Sequence, residues 1–246
     1  MDGLSFASLA LFLISTFIGG VTSGLAGFAM GLVVSGVWLH IITPVQTATL
    51  IVGYGLLSQS YGVWKLRHAL DWRAVAPYIV GGAFGVPLGT MLLTYIDPVW
   101  LRTGVGVLLI VYSIWSLAGA ISRPIEAGKA ADVVVGFLNG WLGGLTGLTG
   151  VTVTIWCQVR GLTKDAQRAV FQPVTLTTAM FGLVTLGLAG AITVPTVELY
   201  LLGAPLLLAG LWSGFKLYGK LDDAAFRRVI LLLLLASGIV LIVPSF

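Results

Sequence analysis

The chain has 246 residues, 58% of them hydrophobic and only 9% charged, with a mean hydropathy of +1.04. A soluble domain needs about a quarter of its residues charged to cover its surface, so the composition excludes one and predicts an integral membrane protein. The formal charge of +4 lies in short loops between apolar runs, where it reads as an orientation signal and implies no nucleic-acid partner, and the single cysteine, Cys157, excludes an intrachain disulfide and a multi-cysteine metal site.

In chain order, the first 20 residues carry Asp2 but no Lys or Arg, so the positive start of a cleavable signal peptide is missing and the N-terminus is expected to stay attached. Apolar runs predict membrane segments at 4–42, 45–64, 74–95, 99–120, 130–160, 167–190, 197–216 and 224–244. Six of these have the length of one crossing. The first and fifth are too long, and each contains a glycine-rich break. Two arms of about 15 residues would each reach about 22 Å, short of the ~30 Å hydrocarbon core, so each predicts a hairpin turned back inside the membrane or two short crossings. Asp97, Asp222 and Asp223 stand just before segments and read as helix N-caps. Gly85 with Gly89 and Gly210 with Gly214 read as close helix contacts.

The two breaks are copies. Phe17, Gly20, Gly24, Leu25 and Gly27 superpose on Phe137, Gly140, Gly144, Leu145 and Gly147 at an offset of 120, and Gly85, Gly89, Asp97 and Arg102 superpose on Gly210, Gly214, Asp222 and Arg227 at 125. The chain therefore reads as two repeats, 1–122 and 123–246. If both broken segments return to their starting side, twelve of the thirteen basic residues share one face and only Arg102 lies opposite. That asymmetry predicts a cytoplasmic basic face and both termini outside. A returning segment plus three crossings also inverts the second repeat. The fold class expected is an all-α polytopic membrane protein of about eight segments in two inverted repeats, each opening on a broken or hairpin-like segment.

A break inside the membrane leaves backbone groups that only protein or a watery cavity satisfies. Arms beginning after Gly24 and after Gly144 would aim helix N-termini at the centre, a favourable place for an anion. Candidate substrate-binding residues are Gly20, Thr22, Ser23, Gly24 and Gly27 in the first break, and Asn139, Gly140, Gly143, Gly144, Thr146, Gly147 and Thr149 in the second. The glycines admit close approach to the backbone, and the hydroxyls and amide donate hydrogen bonds. The competing reading is tight helix packing through small residues. Gln172 joins the candidates because Pro173 follows it and frees a carbonyl nearby, although an ordinary proline kink reads equally from the sequence. Gln46 and Gln167 read as cavity-lining or as helix caps. No Asp, Glu, Lys, Arg or His falls in the middle of a segment, so an obvious proton relay is absent. His40 and His68 lack any supporting cluster for a metal, and Cys157 reads as packing. Trp141 falls inside the second break as a gate or a filler.

The paired openings Gly20-Val-Thr-Ser-Gly24-Leu-Ala-Gly27 and Gly140-Trp-Leu-Gly-Gly144-Leu-Thr-Gly147, with Gly85, Gly89, Asp97 and Arg102, resemble the TauE/SafE family of sulfite-exporter-like membrane proteins over essentially the whole chain. The resemblance implies a secondary transporter of small anions such as sulfite or a short organosulfonate like sulfoacetate, operating by alternating access and in the export direction, with no catalytic residue and no cofactor. The lipid bilayer and a small anionic substrate are the partners implied. A coupling proton or ion and an oligomer are compatible with this reading. The first copy has Ala26 and Ala29 where the second has Thr146 and Thr149, so the second hairpin is expected to dominate binding. A passive anion channel would instead show a continuous polar ring, and a sulfur relay at Cys157 would need a base or second thiol beside it.

Overall fold

The computed structural model describes residues 5–28, 30–92, 98–118, 125–146 and 149–242. The described residues form helices joined by short connections: α1 Phe6–Ala26, α2 Met30–Trp38, α3 Pro44–Lys65, α4 Trp72–Leu92, α5 Pro98–Leu117, α6 Lys129–Thr146, α7 Val151–Val159, α8 Lys164–Leu188, α9 Val194–Tyr218 and α10 Asp223–Ile242. Among them α1, α8 and α9 are long and apolar enough to cross a membrane by length and composition. The first and fifth predicted segments are broken, each into a long helix and a nine-residue one.

The breaks fall later than the glycine pattern suggests. α1 runs through Gly24 to Ala26 and α6 through Gly144 to Thr146, so the second arms begin at Met30 and Val151 rather than just after Gly24 and Gly144. The reason is local. Gly27 adopts φ 92° and donates its N–H to the Ser23 carbonyl at 2.7 Å, a left-handed C-cap that glycine takes without strain. Gly150, at φ 89°, starts α7.

The chain forms two compact units, each drawn from both ends of the sequence: Met1–Lys65 with Ala179–Leu221, and Leu66–Thr178 with Asp222–Phe246. In the first unit, α2 folds back on α1, and the Trp38 indole donates to Ser15 Oγ at 2.9 Å. Trp38 also stacks on Phe12 and meets Tyr54, at the centre of an apolar cluster with Val34, Leu50 and Leu207. α1 and α9 run parallel at backbone contact: a Cβ at Gly20 would stand 2.6 Å from the Leu207 carbonyl oxygen, and one at Gly210 or Gly214 would overlap the carbonyls of Phe17 or Val21.

The second unit repeats this plan with other helices. α7 folds back on α6, and α4 runs parallel to α6 with Gly81, Gly85 and Gly89 seated on the carbonyls of Val133, Phe137 and Trp141. Gly136 and Gly140 lie against Tyr78 and Gly82 in return. Small residues four apart let two helices approach until only dispersion and weak backbone contacts separate them, a gain that lipid cannot supply. The broken hairpin of each sequence half thus takes its parallel partner from the other half, α9 for α1 and α4 for α6.

Helix starts follow the expected chemistry with one exchange. Asp222 caps α10, accepting from the Ala225 N–H at 2.7 Å, whereas Asp223 caps a different helix, accepting from the Lys164 N–H of α8 at 2.8 Å. Gln46 is a cap as well: its Oε1 accepts from the Thr43 N–H at 3.1 Å. Asp97 lies outside the described residues.

Candidate functional site

In the first unit, the residues predicted for the first break divide by role. Gly20 and Gly24 face α9, and Gly19 faces Met30 and Val34 of α2, so these glycines are occupied by packing on the sides where a Cβ would project. The Thr22 hydroxyl donates back to its own helix, to Ile18 O at 3.1 Å or Gly19 O at 3.0 Å. Ser23 is buried. The Gly27 carbonyl, left over at the end of α1, accepts from Gln59 Nε2 of α3 at 2.6 Å. Gln59 is 3% exposed and closes this break, a role the sequence reading misses although a glutamine inside an apolar segment is a polar exception. Gln59→Leu removes that bond and leaves a buried carbonyl unpaired. It should lower stability by about 1–3 kcal/mol, read as a drop in melting temperature in detergent.

In the second unit, Asn139, Gly143 and Thr149 come together. Asn139 is 1% exposed; its Oδ1 accepts from the Gly150 N–H at 3.0 Å, which pins the start of α7 to α6. Its Nδ2 is buried and has no partner. A Cβ at Gly143 would meet the Thr149 methyl at 3.1 Å and the Thr178 methyl of α8 at 3.6 Å, so α6, the break and α8 converge here. Thr154 donates to the Gly150 carbonyl at 2.7 Å. Gly140 faces α4, and Gly144 and Thr146 lie in the last turn of α6, while Gly147 lies outside the described residues. In the repeat alignment Gly19 stands where Asn139 does, so the first unit has no equivalent amide.

On α8, Gln172 is 1% exposed and its Oε1 is unpaired. One turn earlier on the same face, Arg168 is fully buried. The sequence reading counts Arg168 among the basic residues of the cytoplasmic face, at the margin of the segment 167–190; because α8 already begins at Lys164, it enters the protein instead. The signal was present in the spacing Asp165, Arg168, Gln172, Thr175, a polar stripe along one helical face. A buried guanidinium is costly without compensating acceptors, so it marks a place where the fold maintains positive charge.

A second polar group ties the open ends of this hairpin. Asp132 on α6, 7% exposed, accepts from Tyr78 Oη at 2.5 Å, Trp156 Nε1 at 2.9 Å and Arg160 Nη1 at 3.1 Å. It holds α4, α6 and the end of α7 at one point. In the repeat alignment position 12 is Phe, so the first unit has no carboxylate in the place of Asp132. Asp132→Ala strands Arg160 and two donors. It should lower stability by about 2–4 kcal/mol in a thermal-unfolding assay, with Arg160→Gln losing less because Arg160 is partly exposed. Cys157, beside this group, is buried among Val153, Val170 and Phe171, the packing role expected of it. No group of three or more metal-ligating side chains occurs among the described residues.

Residues 11–241 match the family described as sulfite exporter TauE/SafE. A probable sulfite/organosulfonate exporter TauE from Cupriavidus necator is 28% identical over 134 residues, and the match covers half of this chain and half the length of that relative. No solved structure matches. With the family match running over nearly all of its helices, this chain belongs to the TauE/SafE family of membrane transporters.

Proposed function

We propose that the protein moves a small oxyanion, sulfite or a short organosulfonate such as sulfoacetate, outward across the cytoplasmic membrane. The observation that carries this reading is the second break, where a buried amide donor, Asn139 Nδ2, has no partner while its own oxygen is fixed by Gly150. A buried donor without an acceptor costs about 1–3 kcal/mol, and an anion oxygen would recover it. The start of α7 adds N–H groups and the positive end of a helix dipole, Thr149 adds a hydroxyl, and the buried Gln172 and Arg168 lie about two and three turns before Thr178 along α8. The name of the Cupriavidus necator relative favours sulfite or an organosulfonate as the anion.

The halves 1–122 and 123–246 act in this proposal as inverted repeats that expose the site to one side and then the other, with both termini outside. At a membrane potential negative inside, outward movement of an anion is downhill by about 2.3 kcal/mol per charge per 100 mV, so export needs no further coupling. Labelled sulfite flux in proteoliposomes, with set potential and pH gradients and sulfonates as competitors, tests the reading. Saturable flux driven by potential and competed by sulfonates is expected; flux that rises linearly with concentration would place the protein among channels, and none under any gradient would remove sulfite.

A further inference from the structure

A cleft of about 470 Å³ opens between the first turns of α4 and α6, lined by Arg73 and Lys129 together with Ala76, Pro77, Val80 and Val133. α4 and α6 run parallel, so both helix starts lie at this end beside the two cations, with Asp71 accepting from the Arg73 N–H at the start of α4 and Asp132, turned to Tyr78, Trp156 and Arg160, in the first turn of α6. Among the described residues neither the Arg73 guanidinium nor the Lys129 ammonium forms an ion pair, the nearby Asp71 bonding the Arg73 backbone N–H at 2.9 Å, and both side chains are exposed. Pro77 lacks the N–H that would bond the Arg73 carbonyl, which loosens the first turn of α4 beside small Ala76 and leaves room for the cleft. From it an apolar stripe continues along α4 at four-residue spacing, with Val80 51%, Phe84 68% and Leu88 44% exposed.

Unpaired cations above an exposed apolar stripe match one molecule that every membrane offers: a lipid with a net negative headgroup. We propose that this cleft binds one anionic phospholipid, its phosphate between Arg73 and Lys129 and an acyl chain along Val80, Phe84 and Leu88. A zwitterionic lipid brings its own cation to the same place and gains less. The site is separate from the transport reading, since it uses neither Asn139 nor the break.

Native mass spectrometry of the full-length protein, delipidated and titrated with phosphatidylglycerol or phosphatidylcholine of the same acyl chains, reads occupancy directly. One phosphatidylglycerol is expected to bind in preference, and the double variant Arg73→Gln, Lys129→Gln should weaken it roughly 30-fold, about a factor of five for each cation removed. Because both side chains are exposed, the variant should keep the parent melting temperature. Equal retention of the two lipids, or unchanged phosphatidylglycerol binding in the variant, overturns the proposal. Soluble glycerol phosphate that displaces phosphatidylglycerol at equal concentration would also overturn it, by showing a free-phosphate site instead of a lipid site.

Discussion

Gly85→Ala is expected to prevent the second unit from assembling, although it adds a single methyl group. The added Cβ would overlap the Phe137 carbonyl oxygen and stand 2.8 Å from the Trp141 nitrogen, and neither atom belongs to a side chain that can turn away. Relief requires the whole α4–α6 pair to separate, which undoes the neighbouring contacts of Gly81, Gly89, Gly136 and Gly140 at the same time. Overpacking in a core commonly costs about 1–3 kcal/mol; a clash against backbone, which no rotamer change relieves, belongs at or above the top of that range. Two neighbours calibrate the effect. At Gly82 the Cβ would meet Gly136 O at an ordinary 3.5 Å, and at Gly55 it would meet nothing within 4 Å. Gly82→Ala should therefore be nearly neutral, and Gly55→Ala in α3 should stabilise by about 0.5–1 kcal/mol through helix propensity. Fluorescence-detected size-exclusion chromatography and melting temperatures in detergent give the ranking. A Gly85→Ala protein as monodisperse and as stable as Gly82→Ala would show that the glycine faces do not hold α4 to α6.

The same contacts show which parts of the structure a sequence can disclose. The broken first segment of each half was legible because left-handed glycines and doubled length leave marks in composition, and the helix bounds follow the apolar runs closely from α3 to α5 and from α8 to α10. What the glycines face was not legible. A four-residue spacing of small residues says that a helix has a flat side, but Gly20 and Gly24 find their partner nearly 200 residues later, on α9, and nothing local names it. Glycines read as candidate binding groups therefore divide: Gly20, Gly24 and Gly140 pack helices, whereas Gly143 sits beside Thr149 and Thr178. Charged groups were obscured for another reason. Arg168 and Asp132 stand at the margins of apolar runs, where a loop assignment costs nothing, and only the helix starts at Lys164 and Lys129 carry them inward.

Asn139→Asp should abolish transport at neutral pH while leaving the fold intact. The two side chains have nearly the same shape, and Asp keeps the oxygen that accepts from the Gly150 N–H, so the brace across the break survives. What changes is the other atom: the unpaired amide nitrogen becomes a second carboxylate oxygen, an acceptor with negative charge where an anion is proposed to bind. Two unit charges about 4 Å apart repel by about 4 kcal/mol at an effective dielectric constant of 20, which corresponds to roughly a thousandfold loss of affinity. Asn139→Ala, which removes donor and brace together without adding charge, should lose roughly tenfold in affinity and about 1–2 kcal/mol of stability. The charged variant also carries an internal control. A carboxyl that takes up a proton in acid loses its charge and again offers a donor. Transport of a sulfonate, which stays ionised throughout, should therefore recover in Asn139→Asp as pH falls, while the parent protein and Asn139→Ala show no such recovery. Sulfonate flux in proteoliposomes at stepped pH separates the outcomes: parent-like flux in Asn139→Asp at neutral pH would remove the anion from the second break, and loss without acid recovery would assign Asn139 to structure alone.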